Sequence, residues 1–188
     1  EIVAPLLAAD SDTHHVVMPA AQPFSHSSDG PGPYLEGGDI ICYQNHLFVG
    51  ESDIASNRAG TDWLADYIEP FGYQVHRMPM HGSILHLLGI MVLVSEGVLL
   101  LYRDELKEPL PAPLSDWDVI ELTEAEALLF ATVGVSLDDK RYVIPKGVGR
   151  VCDELARRGV EPIEIDYDHV SHWGGCVSCS THAIWRDP

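Results

Sequence analysis

The chain has 188 residues, 46% of them hydrophobic and 21% charged, which suits one ordinary domain with a proper core and excludes wholesale disorder. Its 11 Lys+Arg against 29 Asp+Glu give a formal net charge of −18, so nucleic acid and anionic membrane surfaces are poor partners for it. The longest apolar run, Ile84 to Val94, contains His86 and falls far short of the ~20 residues a membrane span needs, so the expected location is cytoplasmic.

Residues 1–33 form a poorly patterned segment with a Gly/Pro/Ser loop at Ser25–Pro33 and one candidate strand, His15–Met18. The start lacks Met and a basic signal region, as expected of a processed product or of part of a longer protein. From Asp39 the texture changes. Asp39–Tyr43 and His46–Gly50 read as strands joined by a Gln44-Asn45 turn. Ser56 or Asn57 caps a helix running to about Ile68, and Tyr73–Met78 alternates as a strand. The cadence then returns. Ile90–Val94 and Gly97–Tyr102 are strands, followed by a Pro-rich joint (Pro109, Pro111, Pro113), a strand at Asp118–Leu122 and a helix from Thr123. Ala131–Leu137 and Arg141–Ile144 form a hairpin, Val148–Arg158 a helix closed by Gly159, and Pro162–Asp166 a last strand. Repeated ββαβ modules over 34–188 are the economical reading, within the α/β class.

Three segments carry chemistry. Glu36-Gly37-Gly38-Asp39 places two carboxylates around paired glycines before a strand, either to orient a histidine and hold a cation or as a solvated acidic turn. His86 sits in the apolar run Ile84–Gly89, either as a satisfied core residue or as a general acid/base. Gly174-Gly175-Cys176-Val177-Ser178-Cys179 puts a thiol after a glycine turn, where it suits a nucleophile, an inert buried Cys or a redox pair. A zinc cluster of His172, Cys176, Cys179 and His182 is a further reading, although zinc sites normally use two separated ligand pairs. Cys42 and Cys152, in strand and helix contexts, read as core residues.

In this order, Leu35-Glu36-Gly37-Gly38-Asp39, Leu47-Phe48-Val49-Gly50-Glu51-Ser52, Leu85-His86-Leu87 and Gly174–Thr181 resemble the guanidino-group-modifying superfamily. Its members are arginine deiminases, dimethylarginine dimethylaminohydrolases and glycine amidinotransferases. The resemblance implies an α/β propeller (pentein type) of ββαβ modules, of which this chain holds about three of five. It makes Cys179 the nucleophile, His86 the acid/base, Glu36 the carboxylate orienting His86, and Asp39 a second carboxylate at the guanidinium. The implied reaction needs no cofactor: hydrolysis of a small cationic guanidino substrate through an amidino-cysteine. The alternatives are amidino transfer to an acceptor amine, or a non-catalytic relic. Leu88 stands where deiminases and amidinotransferases carry Asp, which leans toward the dimethylarginine hydrolases. Three modules leave two sheet faces to be covered by residues 1–33 and a partner subunit, or by missing N-terminal modules of which residues 1–33 would be the remnant.

Overall fold

The computed structural model describes residues 16–19, 32–52 and 54–181. Among them the strands fall into three separate three-stranded sheets that repeat one pattern. Sheet one holds β1 (Ile40–Tyr43), β2 (His46–Glu51) and β3 (Gln74–Pro79); sheet two holds β4 (Met91–Ser95), β5 (Val98–Leu101) and β6 (Asp118–Glu121). Sheet three holds β7 (Val135–Asp138), β8 (Arg141–Pro145) and β9 (Glu161–Ile165). In each, the first two strands pair antiparallel as a hairpin, and the third returns parallel to the second after a helical crossover. The crossovers contain α1 (Arg58–Ile68), α2 (Ala112–Ser115) and α4 (Gly149–Arg157), while α3 (Glu124–Leu128) links the second module to the third. A short α5 (Asp168–Ser171) and a 3₁₀ turn at Ser178–Ser180 follow the last strand. No described helix is long and apolar enough to cross a membrane.

Sheet two explains why its strands are apolar without alternation. Leu99 and Leu101 of β5 face Phe48, Met78 and Met80 of module one, whereas Leu100 between them faces Tyr142 and Ile144 of module three. Successive side chains of a strand point to opposite faces, so a sheet buried on both sides needs hydrophobes throughout. All three leucines are fully buried, each stabilising the fold by roughly 2 kcal/mol. The helices follow a rule of place. Leu114 of α2 joins the cluster between sheets one and two, and Val151 and Leu155 of α4 join the one between sheets two and three. Leu64 of α1 covers the other face of sheet one, on Leu47 and Val49.

Several expectations need correction. His15–Met18 is not a strand: His15 lies outside the described residues, and Val16–Met18 adopt no regular structure. The Pro-rich joint hides α2, because Pro111 and Pro113 flank the first residue of that helix, where a missing N–H is no loss. The strand expected from Ala131 begins only at Val135. Ala131–Gly134 are buried for another reason: the Tyr142 hydroxyl donates to Ala131 O and accepts from Gly134 N–H, both at 3.0 Å. Cys42 is solvent-exposed on edge strand β1, although the protein beneath it still pushes its thiol pKa up. Cys152 is buried as expected.

Candidate active site

The Glu36 turn is built from below. Asn57 caps α1 by accepting from Gly60 N–H (3.0 Å), and the same oxygen accepts from Tyr34 N–H (3.1 Å). Gly60 allows this approach, since a Cβ there would meet Tyr34 O at 1.9 Å. One residue earlier, Ser56 Oγ accepts from Glu36 N–H (2.8 Å), and Ser56 N–H donates to Asp39 Oδ2 (3.1 Å). Gly37–Asp39 then form a single 3₁₀ turn leading into β1. Glu36 is thereby left at the mouth of the turn, with its side chain half-exposed.

His86 lies at the tip of the loop between β3 and β4. Its Nε2 is 2.7 Å from Glu36 Oε2, so the two residues meet across 50 positions of sequence. A half-exposed pair of this kind adds under about 1 kcal/mol of stability, so its value lies in orienting the ring. Gly38 packs flat against the imidazole, where a Cβ would come within 2.7 Å of His86 Cγ and Nδ1. Gly38 is thus needed beside the histidine for room.

Cys179 enters the same space from the C-terminal segment. A cleft of about 500 Å³ is lined by Gly37, Gly38, His86, Leu88, Phe130 and Cys179, among others. Gly174 has φ +86°, which favours glycine, and a Cβ on Gly175 would lie 3.2 Å from Cys179 Cβ. The Cys179 turn is tied to module three by Ser178 N–H donating to Val133 O (3.2 Å) and closed by Cys179 N–H donating to Cys176 O (3.1 Å). Phe130, with φ +60°, is one of the non-glycine residues in the left-handed region, and it too lines the cleft.

The structure therefore brings His86 and Cys179 to one cleft, with Glu36 hydrogen-bonded to His86. Asp39 sits differently from the expected contact with substrate. It is 1% exposed, with Oδ2 accepting from Ser56 N–H and Oδ1 from Leu87 N–H (2.9 Å). Burial pushes its carboxyl pKa up, against the lowering effect of its hydrogen bonds. In this geometry Asp39 braces the floor of the cleft. Of the zinc reading, His182 lies outside the described residues, and no three metal-binding side chains converge among the described ones. Cys176 is fully buried against Val133 and Val177, and burial raises its thiol pKa.

No family model matches the chain. The uncharacterized protein YkgA of Bacillus subtilis is 27% identical over 154 residues, 81% of this chain and 52% of that protein. N(G),N(G)-dimethylarginine dimethylaminohydrolase of Pseudomonas aeruginosa is 26% identical over 151 residues, 80% of this chain and 56% of that one. A solved structure of the Pseudomonas aeruginosa enzyme in complex with citrulline superposes with a TM-score of 0.61 at 26% identity, over 71% of this chain and 49% of that one. SxtG, an amidinotransferase from Microseira wollei, is similar in fold, with a TM-score of 0.74 at 20% identity, over 88% of this chain and 53% of that one. The chain spans about half the length of the curated relatives it matches. With three ββαβ modules, the chain is similar in both sequence and fold to the dimethylarginine dimethylaminohydrolase of Pseudomonas aeruginosa, and it shares its fold with the amidinotransferase SxtG.

Proposed function

We propose that this cleft belongs to a cysteine-dependent hydrolase of an arginine-like guanidino compound. The observation that carries the reading is the 2.7 Å contact of His86 with Glu36 at the cleft that Cys179 lines. A guanidinium carbon is a poor electrophile because its charge is spread over three nitrogens. The soft Cys179 thiolate attacks it, forming the S–C bond of a tetrahedral adduct. His86, oriented by Glu36, then protonates the departing amine as the C–N bond breaks, leaving an amidino-cysteine. Now neutral, His86 takes a proton from the incoming water. Water oxygen bonds to carbon, the S–C bond breaks, and the thiolate returns with release of a ureido product. Asp39 contributes by fixing Leu87 N–H and Ser56 N–H beneath the site. The hydrolase is preferred over the transferase because the relative that is similar in both sequence and fold is a hydrolase.

Two measurements test the reading. Alkylation by a haloacetamidine, which mimics the cation, should fall on Cys179 in preference to exposed Cys42, and arginine-like guanidines should protect it. Burial holds the Cys152 thiol near a pKa of about 11, so it should stay unlabelled at neutral pH. Incubation with arginine and methylated arginines should then give citrulline without an added amine. A new guanidino compound formed only with glycine or lysine present would assign transfer instead. Labelling mainly at Cys42 would overturn the nucleophile assignment.

A further inference from the structure

Two buried carboxylates bracket the loop that carries His86. After the histidine, Asp39 Oδ1 holds Leu87 N–H. Before it stands Glu105, 3% exposed, at the end of the 3₁₀ turn Arg103–Glu105 that follows β5. Its Oε1 accepts from Ser83 N–H (2.7 Å), with Ile84 N–H at 3.4 Å, and its Oε2 accepts from the Ser83 hydroxyl. The backbone of the same turn is laced to the loop's base. His81 N–H donates to Glu105 O and Lys107 N–H to Pro79 O, both at 2.9 Å, and Met80 bridges Leu106. The loop is also pinched shut: a Cβ on Gly89 would meet Ile84 Cγ2 at 2.6 Å.

A carboxylate taken out of water costs several kcal/mol unless hydrogen bonds replace its hydration. Every side-chain hydrogen bond described for Glu105 goes to Ser83 and Ile84, so the energy that keeps it buried is spent on the shape of this loop. Both backbone donors fall on Oε1, while the Ser83 hydroxyl can donate or accept, so an amide of the same length can keep all three contacts, whereas truncation leaves both N–H groups without this acceptor.

We propose that Glu105 is a positioning residue for His86: it fixes the first arm of the loop so that the imidazole meets Glu36 in the cleft it shares with Cys179. The proposal rests on the reading of His86 as the proton carrier. Glu105 acts through Ser83 and Ile84, while Asp39 holds the second arm.

The test reads the histidine directly, by NMR of the side-chain Nε2 proton of His86 and by amide exchange at Ser83 and Ile84. The hydrogen-bonded His46–His76 pair, 2.9 Å between ring nitrogens and on β2 and β3, serves as internal reference. In Glu105→Ala the two amides should exchange about tenfold faster or more, and the bonded His86 proton should be lost, with the reference pair unmoved. An unchanged His86 proton in that variant overturns the proposal. If Glu105→Ala does not fold, Ser83→Ala replaces it. Faster exchange with a broadened His86 proton supports the proposal, and an unaltered proton overturns it. A missing His86–Glu36 proton in the unsubstituted protein would instead overturn the reading of the site, and it is observed before any substitution is made.

Discussion

Gly37 and Gly38 look equivalent in the sequence, yet they are unequal in space. A Cβ on Gly37 meets nothing within 4 Å, whereas on Gly38 it strikes the His86 ring. Gly38→Ala should therefore push the imidazole away from Glu36 with little effect on stability, because no positive φ is involved. Carbethoxylation by diethyl pyrocarbonate should speed up several-fold at His86 in Gly38→Ala and stay unchanged in Gly37→Ala. Exposed His81 and His172 give the reference rate. Equal behaviour of the two variants would remove the steric role assigned to Gly38. The same scale separates what the residue types reveal from what they hide. Glu36, His86 and Cys179 were singled out by the order of motifs that resembles the guanidino-modifying superfamily, and in space His86 meets Glu36 and lines one cleft with Cys179. Glu105 was not, since an acid within Arg103-Asp104-Glu105-Leu106-Lys107 reads as solvated surface, and only its reach to Ser83 shows otherwise. Asp39 was found, but its orientation was not. Which way a side chain points from a turn depends on partners such as Ser56 and Leu87, which lie 17 and 48 residues away.

At the scale of elements, the strand–strand–helix–strand cadence was readable wherever caps and periods were strong. Helix α3 shows such a cap: Thr123 Oγ1 accepts from Glu126 N–H, while Glu126 Oε2 accepts from Thr123 N–H. Glu126 also pairs with Arg150 of α4, whose side-chain hydrogen bond is the main cause holding the Glu126 carboxyl at about 2. A carboxyl whose folded pKa lies below its unfolded value of about 4.5 stabilises the fold at higher pH and loses that contribution as pH falls from 4.5 toward 2. Since Arg150 is half-exposed, solvent screening leaves about 1 kcal/mol to be lost in Glu126→Gln at neutral pH. Urea unfolding should show that deficit at pH 7 and little of it near pH 2.5. A deficit independent of pH would place the effect in the neutral cap alone. Elements with weak local signals were lost to the sequence. Helix α2 has four residues, and Ala131–Gly134 owe their burial to Tyr142, a residue further along the chain.

The molecule as a whole carries −18 charges on one small body. Several of its described ion pairs, such as Arg103–Glu121, Arg141–Asp138 and Lys146–Asp166, are exposed at both ends, and such pairs contribute little. Net repulsion among carboxylates should then outweigh them. Raising salt from about 10 mM to about 150 mM should raise the melting temperature by a few degrees, because it shortens the reach of like-charge repulsion. A fall in melting temperature would mean that attractive pairs dominate.

The three reactive groups also differ in when they are made. Glu36 precedes the first sheet, His86 stands between the first and second, and Cys179 follows the third. A ribosome releases the chain in that order, and neighbouring modules pack as they emerge. The residues of the His86–Glu36 contact are therefore synthesised before the Cys179 sulfur. On the reading proposed for the cleft, a thiol made after His86 and Glu36 would not form an amidino-cysteine in an unfinished chain that lacks the pair proposed to turn it over.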